Sequence, residues 1–483
     1  MNYKLILRML GRTLLLEAAS LLLPLLSCLY YGETPLPFVY TILLLAAFGF
    51  PLAFIRSKTE FYAQEGFVVV AAIWLLFCIF GSLPFYLSGY FNGWVDCLFE
   101  VTSGFTTTGA SILTDIEVLP RGILFWRSFS SWLGGMGVLI FTLAFLPNTG
   151  ERTHNLVRAE SPGPVTSKLV PKTAQSSKIL YLIYMALTVL EIFSLRLAGM
   201  SWYDALLHSF ATICTGGFST KNTSIGAYGS PAIEIIVAIF MLLSALNFAV
   251  YFLLITKRFR AIINSDELRY FLGIVAVAIA FITLNLFSAP GNIESGGAFE
   301  TLRHAFFQVA TIITTTGFSS VDFNLWPVFS QIILVVLMII GGCAGSTAGG
   351  IKVSRFLLLI RNIRRDIRKI SHPRAIKVVK LDGNVVDEST LERVSTFFAC
   401  FAFILAATCL VVSLDNYSFT TTITAVVASI GNIGPGLDMV GPMGNYSAFS
   451  DLSKLFLSFC MLIGRLEVFP ILILLSPSTW KRS

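Results

Sequence analysis

Ten apolar runs, most of them about 20 residues long and separated by short polar intervals, constrain this 483-residue chain more than any other feature. A backbone crossing hydrocarbon must satisfy its own N–H and C=O groups, so runs of this length become membrane-spanning helices. They lie at 5–31, 36–55, 66–88, 121–147, 178–199, 231–256, 268–288, 327–342 continuing through 351–360, 394–414 and 452–475. Only 13% of the residues are charged and mean hydropathy is +0.78, against about 25% charged in soluble domains. The fold class expected is an all-α polytopic membrane protein. Basic residues lead into the first run without a small-residue cleavage site, which reads as a retained span. Eight cysteines without a CxxC pair and four scattered histidines indicate neither a disulfide framework nor a zinc site.

Four short polar stretches break this pattern: Thr106-Thr107-Thr108-Gly109, Cys214-Thr215-Gly216-Gly217, Thr314-Thr315-Thr316-Gly317 and Gly431-Asn432-Ile433-Gly434-Pro435-Gly436. Their aligned glycines, Gly109, Gly217, Gly317 and Gly434, are 108, 100 and 117 residues apart. Each stretch follows an apolar segment (95–105, 202–213, 299–313, 419–430) that reaches only about half a bilayer, the mark of a re-entrant helix. Asp96 and Asp204 stand thirteen residues before their glycines, where a carboxylate favours a helix N-terminus. The unit is therefore span, half-helix, Thr/Gly loop, span. Four such units are expected at 61–150, 151–260, 261–370 and 371–483, preceded by two extra spans in 1–60.

The basic residues set an orientation. One set of loops carries 27 of the 34 Lys and Arg, among them Arg361, Arg364, Arg365, Arg368 and Lys369. The set holding the Thr/Gly stretches is acidic at Asp96, Asp115, Glu117, Asp204, Glu294, Asp322, Asp438 and Asp451. Under the positive-inside rule both termini are cytoplasmic and all four loops open to the other side. Units that enter and leave on one face run parallel, so four of them around the membrane normal bring the loops together in a pseudo-fourfold pore. The net charge of +7 is thus a topology signal with no nucleic-acid partner implied. Two basic-side segments stand apart: an irregular connector at 148–177, and a hairpin at 375–388 turning at Asp382-Gly383.

Backbone carbonyls can replace the water shell of a dehydrated cation, and glycine permits the dihedrals that aim successive carbonyls at one axis. A half-helix ending at the loop adds its negative dipole end, favouring a cation over an anion. One Thr/Gly stretch could be mere small-residue helix packing; four copies, each after a half-length helix, are not. This arrangement, with Gly341 through Lys352 and Gly464-Arg465-Leu466-Glu467-Val468-Phe469, resembles the Trk/Ktr/HKT superfamily of potassium transporters, and within it the TrkH branch, over almost the whole chain. The resemblance implies a potassium-selective filter formed by Thr107, Thr108, Gly109, Thr215, Gly216, Gly217, Thr315, Thr316, Gly317, Asn432, Ile433 and Gly434. It further implies potassium as transported substrate with no organic cofactor on this chain, a multi-pass location in the cell inner membrane, a homodimer, and a cytosolic nucleotide-sensing ring of TrkA type. Glycine in all four copies matches the potassium-selective pattern.

Below the filter, residues 341–350 interrupt the eighth span with five glycines. Such a run makes poor helix, at about 1 kcal/mol per Gly relative to Ala, and unwound backbone at that depth must line a cavity or be covered by protein. It is not a phosphate loop, because Ile351 stands where Lys is required. Counted from their glycines, Thr347 is at +30, Asn247 at +30 and Arg465 at +31, so three polar features share a depth. By resemblance this layer is a gate of Gly345, Ser346, Thr347, Gly349, Gly350, Arg465 and Asn247; a structural role for Arg465, in a pair with Glu467 or at a helix end, is the plainer alternative. Ala348 departs from the family, where glycine is usual. A carrier coupling potassium to protons or sodium is the second reading. Only Glu17, Glu191 and Glu467 lie deep in predicted spans, which gives a proton relay little support. No metalloprotease or serine-hydrolase motif points to an enzyme.

Overall fold

The computed structural model describes residues 3–56, 63–137, 173–289, 297–372 and 377–477. In chain order its helices are α1 (Tyr3–Ser20), α2 (Leu22–Tyr31), α3 (Leu36–Ala53), α4 (Ala63–Gly81), α5 (Leu83–Ser88), α6 (Trp94–Phe105) and α7 (Arg121–Gly135). There follow α8 (Thr173–Leu197), α9 (Trp202–Ile213), α10 (Pro231–Ser244), α11 (Phe248–Ile255), α12 (Phe259–Ile263), α13 (Asp266–Ser288) and α14 (Ala298–Ile313). The chain continues through α15 (Val328–Ile340), α16 (Val353–Ser371), α17 (Glu388–Val412), α18 (Phe419–Ile430), α19 (Asp451–Arg465) and α20 (Phe469–Leu475). Among the described residues the one sheet is a two-stranded hairpin, Lys380–Leu381 with Asn384–Val385, turning at Asp382 and Gly383 as their turn chemistry predicts. The connector over 148–172 lies outside the described residues.

The half-helices fall where the apolar segments place them, as α6, α9, α14 and α18, within one residue at each end. Local chemistry starts them. Ser201 accepts from the Asp204 amide ahead of α9, and Ser418 accepts from the Thr421 amide ahead of α18. Asp96 and Asp204 occupy first turns. At 12 to 16 residues and about 1.5 Å per residue, each reaches about halfway through a bilayer. Their C-terminal residues are buried, so the loops that follow begin inside protein.

The second span of each predicted unit is not the continuous helix expected. The 231–256 run bends by 89° between α10 and α11, and the 452–475 run by 119° between α19 and α20. The 327–360 run stops at Gly341 and resumes at Val353. α7 ends at Gly135, followed by Met136 and a left-handed Gly137 (φ 80°), and 138–147 lie outside the described residues. Among the described residues six helices are long and apolar enough to cross a membrane, or eight if each bent pair is one span, a count that omits the interrupted 327–360 run and the partly described 121–147 run. Length and hydropathy cannot register a bend: Asn247 starts α11 with its side chain accepting from the Ala249 amide, while Glu467 and Val468 turn the chain with positive φ.

Four polar contacts tie neighbouring segments on the loop side. Arg127 of α7 pairs with Glu100 of α6 at 2.6 Å and donates to the Ser219 carbonyl at 2.9 Å. Arg303 of α14 pairs with Glu234 of α10 at 3.1 Å. Asn324 donates to the Asp438 carbonyl at 3.1 Å and accepts from its amide at 2.9 Å. Lys454 of α19 pairs with Asp96 of α6 at 2.6 Å. The last contact links the end of the sequence back to its beginning and closes a circuit around the loops.

Candidate functional site

The loops after α6, α9, α14 and α18 share one backbone pattern. φ is positive at Thr107 (57°), Thr215 (57°), Thr315 (56°) and Asn432 (54°), and again two residues on at Gly109 (80°), Gly217 (66°), Gly317 (84°) and Gly434 (97°). Glycine tolerates this region; β-branched threonine does not, at a cost of order 1–3 kcal/mol per residue. Sequence reasoning assigned the unusual dihedrals to the glycines alone, yet three threonines and an asparagine share them. Amides of the loops bond back to their own half-helices: Thr107 to Gly104, Thr108 to Ser103, Gly216 to Ala211, Thr316 to Thr311 and Ile433 to Ala428, all between 2.8 and 2.9 Å. The peptide planes therefore turn their carbonyls the opposite way.

Those carbonyls meet the next loop. A methyl group built on Gly109 would lie within 3.0 Å of the Gly216 carbonyl oxygen, on Gly217 of Thr316, on Gly317 of Ile433, and on Gly434 of Thr108. The order runs first to second to third to fourth to first, a closed ring. Among the described residues no hydrogen bond is donated to the carbonyls of Thr107, Thr108, Gly109, Thr215, Gly216, Gly217, Thr315, Thr316, Gly317, Asn432 or Ile433. Buried carbonyls in globular proteins are nearly always paired. A ring of unpaired ones, fed by four helix C-termini, has the chemistry to hold a dehydrated monovalent cation. Gly434 differs, because the Tyr446 hydroxyl donates to its carbonyl at 2.8 Å.

Residues 341–352 form a loop beneath this ring. Its ends lie side by side: Lys352 donates to the Ile340 carbonyl at 3.0 Å and Val353 to Gly342 at 3.0 Å. Between them the chain makes an excursion. The Gly349 amide donates to the Thr315 hydroxyl at 2.6 Å, and the Gly350 amide to the Gly431 carbonyl at 2.9 Å. The Thr347 hydroxyl donates to the carbonyls of Ile213 and Ser244 at 3.1 and 3.2 Å. Gly345 lies against Asn247, and its carbonyl accepts from the Phe248 amide at 3.0 Å. Ser346 bonds within the loop, to the Cys343 carbonyl at 2.6 Å. Ala348 is buried against Gly342, so its methyl fills the space the loop encloses.

Arg465, the last residue of α19, reaches the same layer. It donates to the Thr347 carbonyl at 2.8 Å and to Gly134 and Gly135, the last carbonyls of α7, at 2.6 and 2.5 Å. Of the plainer alternatives, the helix-end role has its contacts in the Gly134 and Gly135 carbonyls, while the Glu467 carboxylate pairs with Arg355 of α16. All seven residues placed in this layer by sequence are thus gathered around one loop. Sequence reasoning missed four more. Glu267, buried at the start of α13, accepts from the Ala344 amide at 2.7 Å and from the Ser354 amide at 3.2 Å, clasping both limbs of the loop. Lys352 folds back onto the Ala348 carbonyl. The Glu100–Arg127 pair sits behind the ring, with Glu100 also accepting from Ser111 and Ile112. A charged residue inside an otherwise apolar segment was the available signal for Glu100 and Arg127; Glu267 lay hidden at a span boundary.

A multi-span helical protein whose buried centre is a ring of carbonyls above a polar loop is built to pass ions, not to catalyse. A family model described as TrkH, cation transport protein, matches residues 37–482. The chain belongs to that family, which is one of transporters and not enzymes. It is 37% identical over 487 residues, the full length of both chains, to the Trk system potassium uptake protein TrkH of Escherichia coli K12. It is 33% identical to TrkG of the same organism, with 99% of each chain covered. The crystal structure of the potassium transporter TrkH from Vibrio parahaemolyticus superposes with a TM-score of 0.88 at 33% identity, covering all of both chains.

Proposed function

We propose that this protein moves potassium across the cell membrane through a central, channel-like pore. The observation that carries the reading is the closed ring of donor-free carbonyls contributed by Thr107–Gly109, Thr215–Gly217, Thr315–Gly317 and Asn432–Gly434. The four units 61–150, 151–260, 261–370 and 371–483 each supply one quarter of it and stand parallel about the membrane normal, with 1–60 outside the ring. The basic residues, concentrated on the other side of the membrane, orient the ring outward and the termini toward the cytosol. An ion leaving its water shell finds fixed oxygens in the ring, at no cost in net charge.

Gly345, Ser346, Thr347, Gly349 and Gly350, with Asn247 and Arg465, form the barrier to flow in the closed state. The guanidinium of Arg465 opposes a cation leaving the ring, and the loop backbone fills the passage beneath. Control comes from the cytosolic side, because α16 begins at Val353, directly after the loop, and carries Arg361 to Lys369 toward the hairpin. A homodimer and a nucleotide-sensing ring docked on that basic surface belong to the same reading.

Purified protein in liposomes tests it. A potassium gradient alone should drive rubidium or potassium flux, with sodium carried far less well and no proton movement in step. Flux that requires a sodium or proton gradient would replace the pore with a coupled carrier, and no potassium flux under any gradient would remove the potassium assignment.

A further inference from the structure

On the outer surface of α13 and α15 lies a groove of about 590 Å³, lined by none of the ring or loop residues described above. Apart from its mouth, its walls are hydrocarbon, with Val277, Phe281, Ile332 and Val336 all exposed. The mouth carries Arg269 and Tyr270. Arg269 is exposed and donates through Nε to the Ile263 carbonyl at 2.6 Å and through Nη2 to Asn264 at 3.3 Å. Among the described residues nothing pairs with its Nη1. The neighbouring turn adds the exposed cations Lys257, Arg258 and Arg260, whereas Asp266, three residues before Arg269, is bonded to Arg361 at 2.8 Å.

Gly273 makes the groove continuous. It lies one helical turn from Arg269 on the same face of α13, and a methyl group built there would meet nothing within 4 Å. From Arg269 to Phe281 the helix rises about 18 Å, close to the depth of one leaflet. The groove thus presents a cationic head site of limited size, an aromatic ring at interfacial height, and then a smooth hydrocarbon slot. That profile matches an amphiphile with an anionic head.

We propose that this groove binds an anionic phospholipid, its phosphate at Arg269 and one acyl chain along Gly273, Val277 and Ile333. The site adjoins the glycine loop from two directions. Ile340, at the groove wall, immediately precedes Gly341, and Glu267, two residues before Arg269, accepts from Ala344. Lipid in the groove therefore packs against α13 and α15, the helices that carry Glu267 and lead into the loop.

Native mass spectrometry of the delipidated full chain, titrated with phosphatidylglycerol or phosphatidylcholine, tests the proposal without reference to transport. Wild-type protein should keep one lipid per protomer with about tenfold preference for phosphatidylglycerol, equivalent to about 1.4 kcal/mol. Arg269→Gln should bring the two lipids to within about twofold of each other, since one head contact is lost. Gly273→Leu should abolish that one bound lipid of either kind while leaving melting temperature equal or higher, because leucine is the better helix former. Equal retention by all three proteins overturns the proposal. So does a change in protomer number with Gly273→Leu, which would assign the groove to a contact between copies of this chain.

Discussion

Replacing Arg465 by alanine removes three charge-assisted hydrogen bonds at once, to the carbonyls of Thr347, Gly134 and Gly135. Hydrogen bonds to a charged group are worth roughly 1.5–3 kcal/mol each. Water entering an opened passage would recover much of that for the exposed carbonyls, leaving a net bias of about 3 kcal/mol toward the closed state. By the rule of 1.4 kcal/mol per decade, that is roughly a hundredfold shift in the closed-to-open ratio. A barrier closed about 99 times in 100 would then stand open about half the time. Potassium-driven rubidium uptake into liposomes, measured with no cytosolic partner present, should rise by more than about tenfold for Arg465→Ala, with Arg465→Lys in between. Two of the three acceptors are the terminal carbonyls of α7, so Arg465 also caps that helix. The melting temperature separates the roles. A variant that unfolds earlier and carries no more flux than wild type would refute the barrier and leave a capping residue.

Other perturbations read different parts of the site. Gly317→Ser places a side chain at φ +84° against the Ile433 carbonyl; potassium-over-sodium selectivity should fall at least about tenfold, a shift of about 60 mV in the bi-ionic reversal potential, and an unchanged reversal potential would remove Gly317 from the ring's ion site. Glu267→Ala frees the amides of Ala344 and Ser354, so basal flux should rise roughly 10- to 100-fold, whereas Glu267→Gln keeps an acceptor and should resemble wild type; identical flux in both would deny the clasp. Arg127→Met leaves Glu100 buried without its cation, a loss of about 3–5 kcal/mol that should appear as poor recovery of folded protein; the double change with Glu100→Gln should restore part of it.

The outline of this fold was legible because apolar length is a coarse quantity. The half-helices α6, α9, α14 and α18 could be bounded to within a residue, since each ends at a polar loop whose composition no spanning helix would carry. The breaks at Asn247 and at Glu467–Val468 were not legible, because a bend needs only one or two unusual dihedrals inside a run that stays apolar on both sides. Positive φ at Thr107, Thr215 and Thr315 was invisible for the opposite reason: threonine is a poor choice there by intrinsic preference, and only the surrounding half-helix carbonyls impose it. Arg465 could be placed at the right depth by counting. Its partners could not, because they lie more than 100 residues away in other segments.

On the proposed reading, selection and control are physically joined in this arrangement rather than stacked as separate devices. Thr315 holds one strained position of the ring, and its hydroxyl is the acceptor for the Gly349 amide. Gly431, which closes α18, accepts from the next amide of the same loop, Gly350. Glycine is required at 349 because any side chain there would strike the Gly431 carbonyl. The loop therefore cannot withdraw without releasing two contacts that brace the third and fourth quarters of the ring. Conversely, an ion that draws the Thr315 and Asn432 carbonyls inward changes the footing on which the loop rests. If the loop is the barrier and the ring the ion site, as proposed, opening and ion occupancy are coupled through two hydrogen bonds, each worth about 0.5–1.5 kcal/mol net. A coupling of that size is enough to make the barrier respond to whether the ring is filled, and small enough that thermal motion can still reverse it.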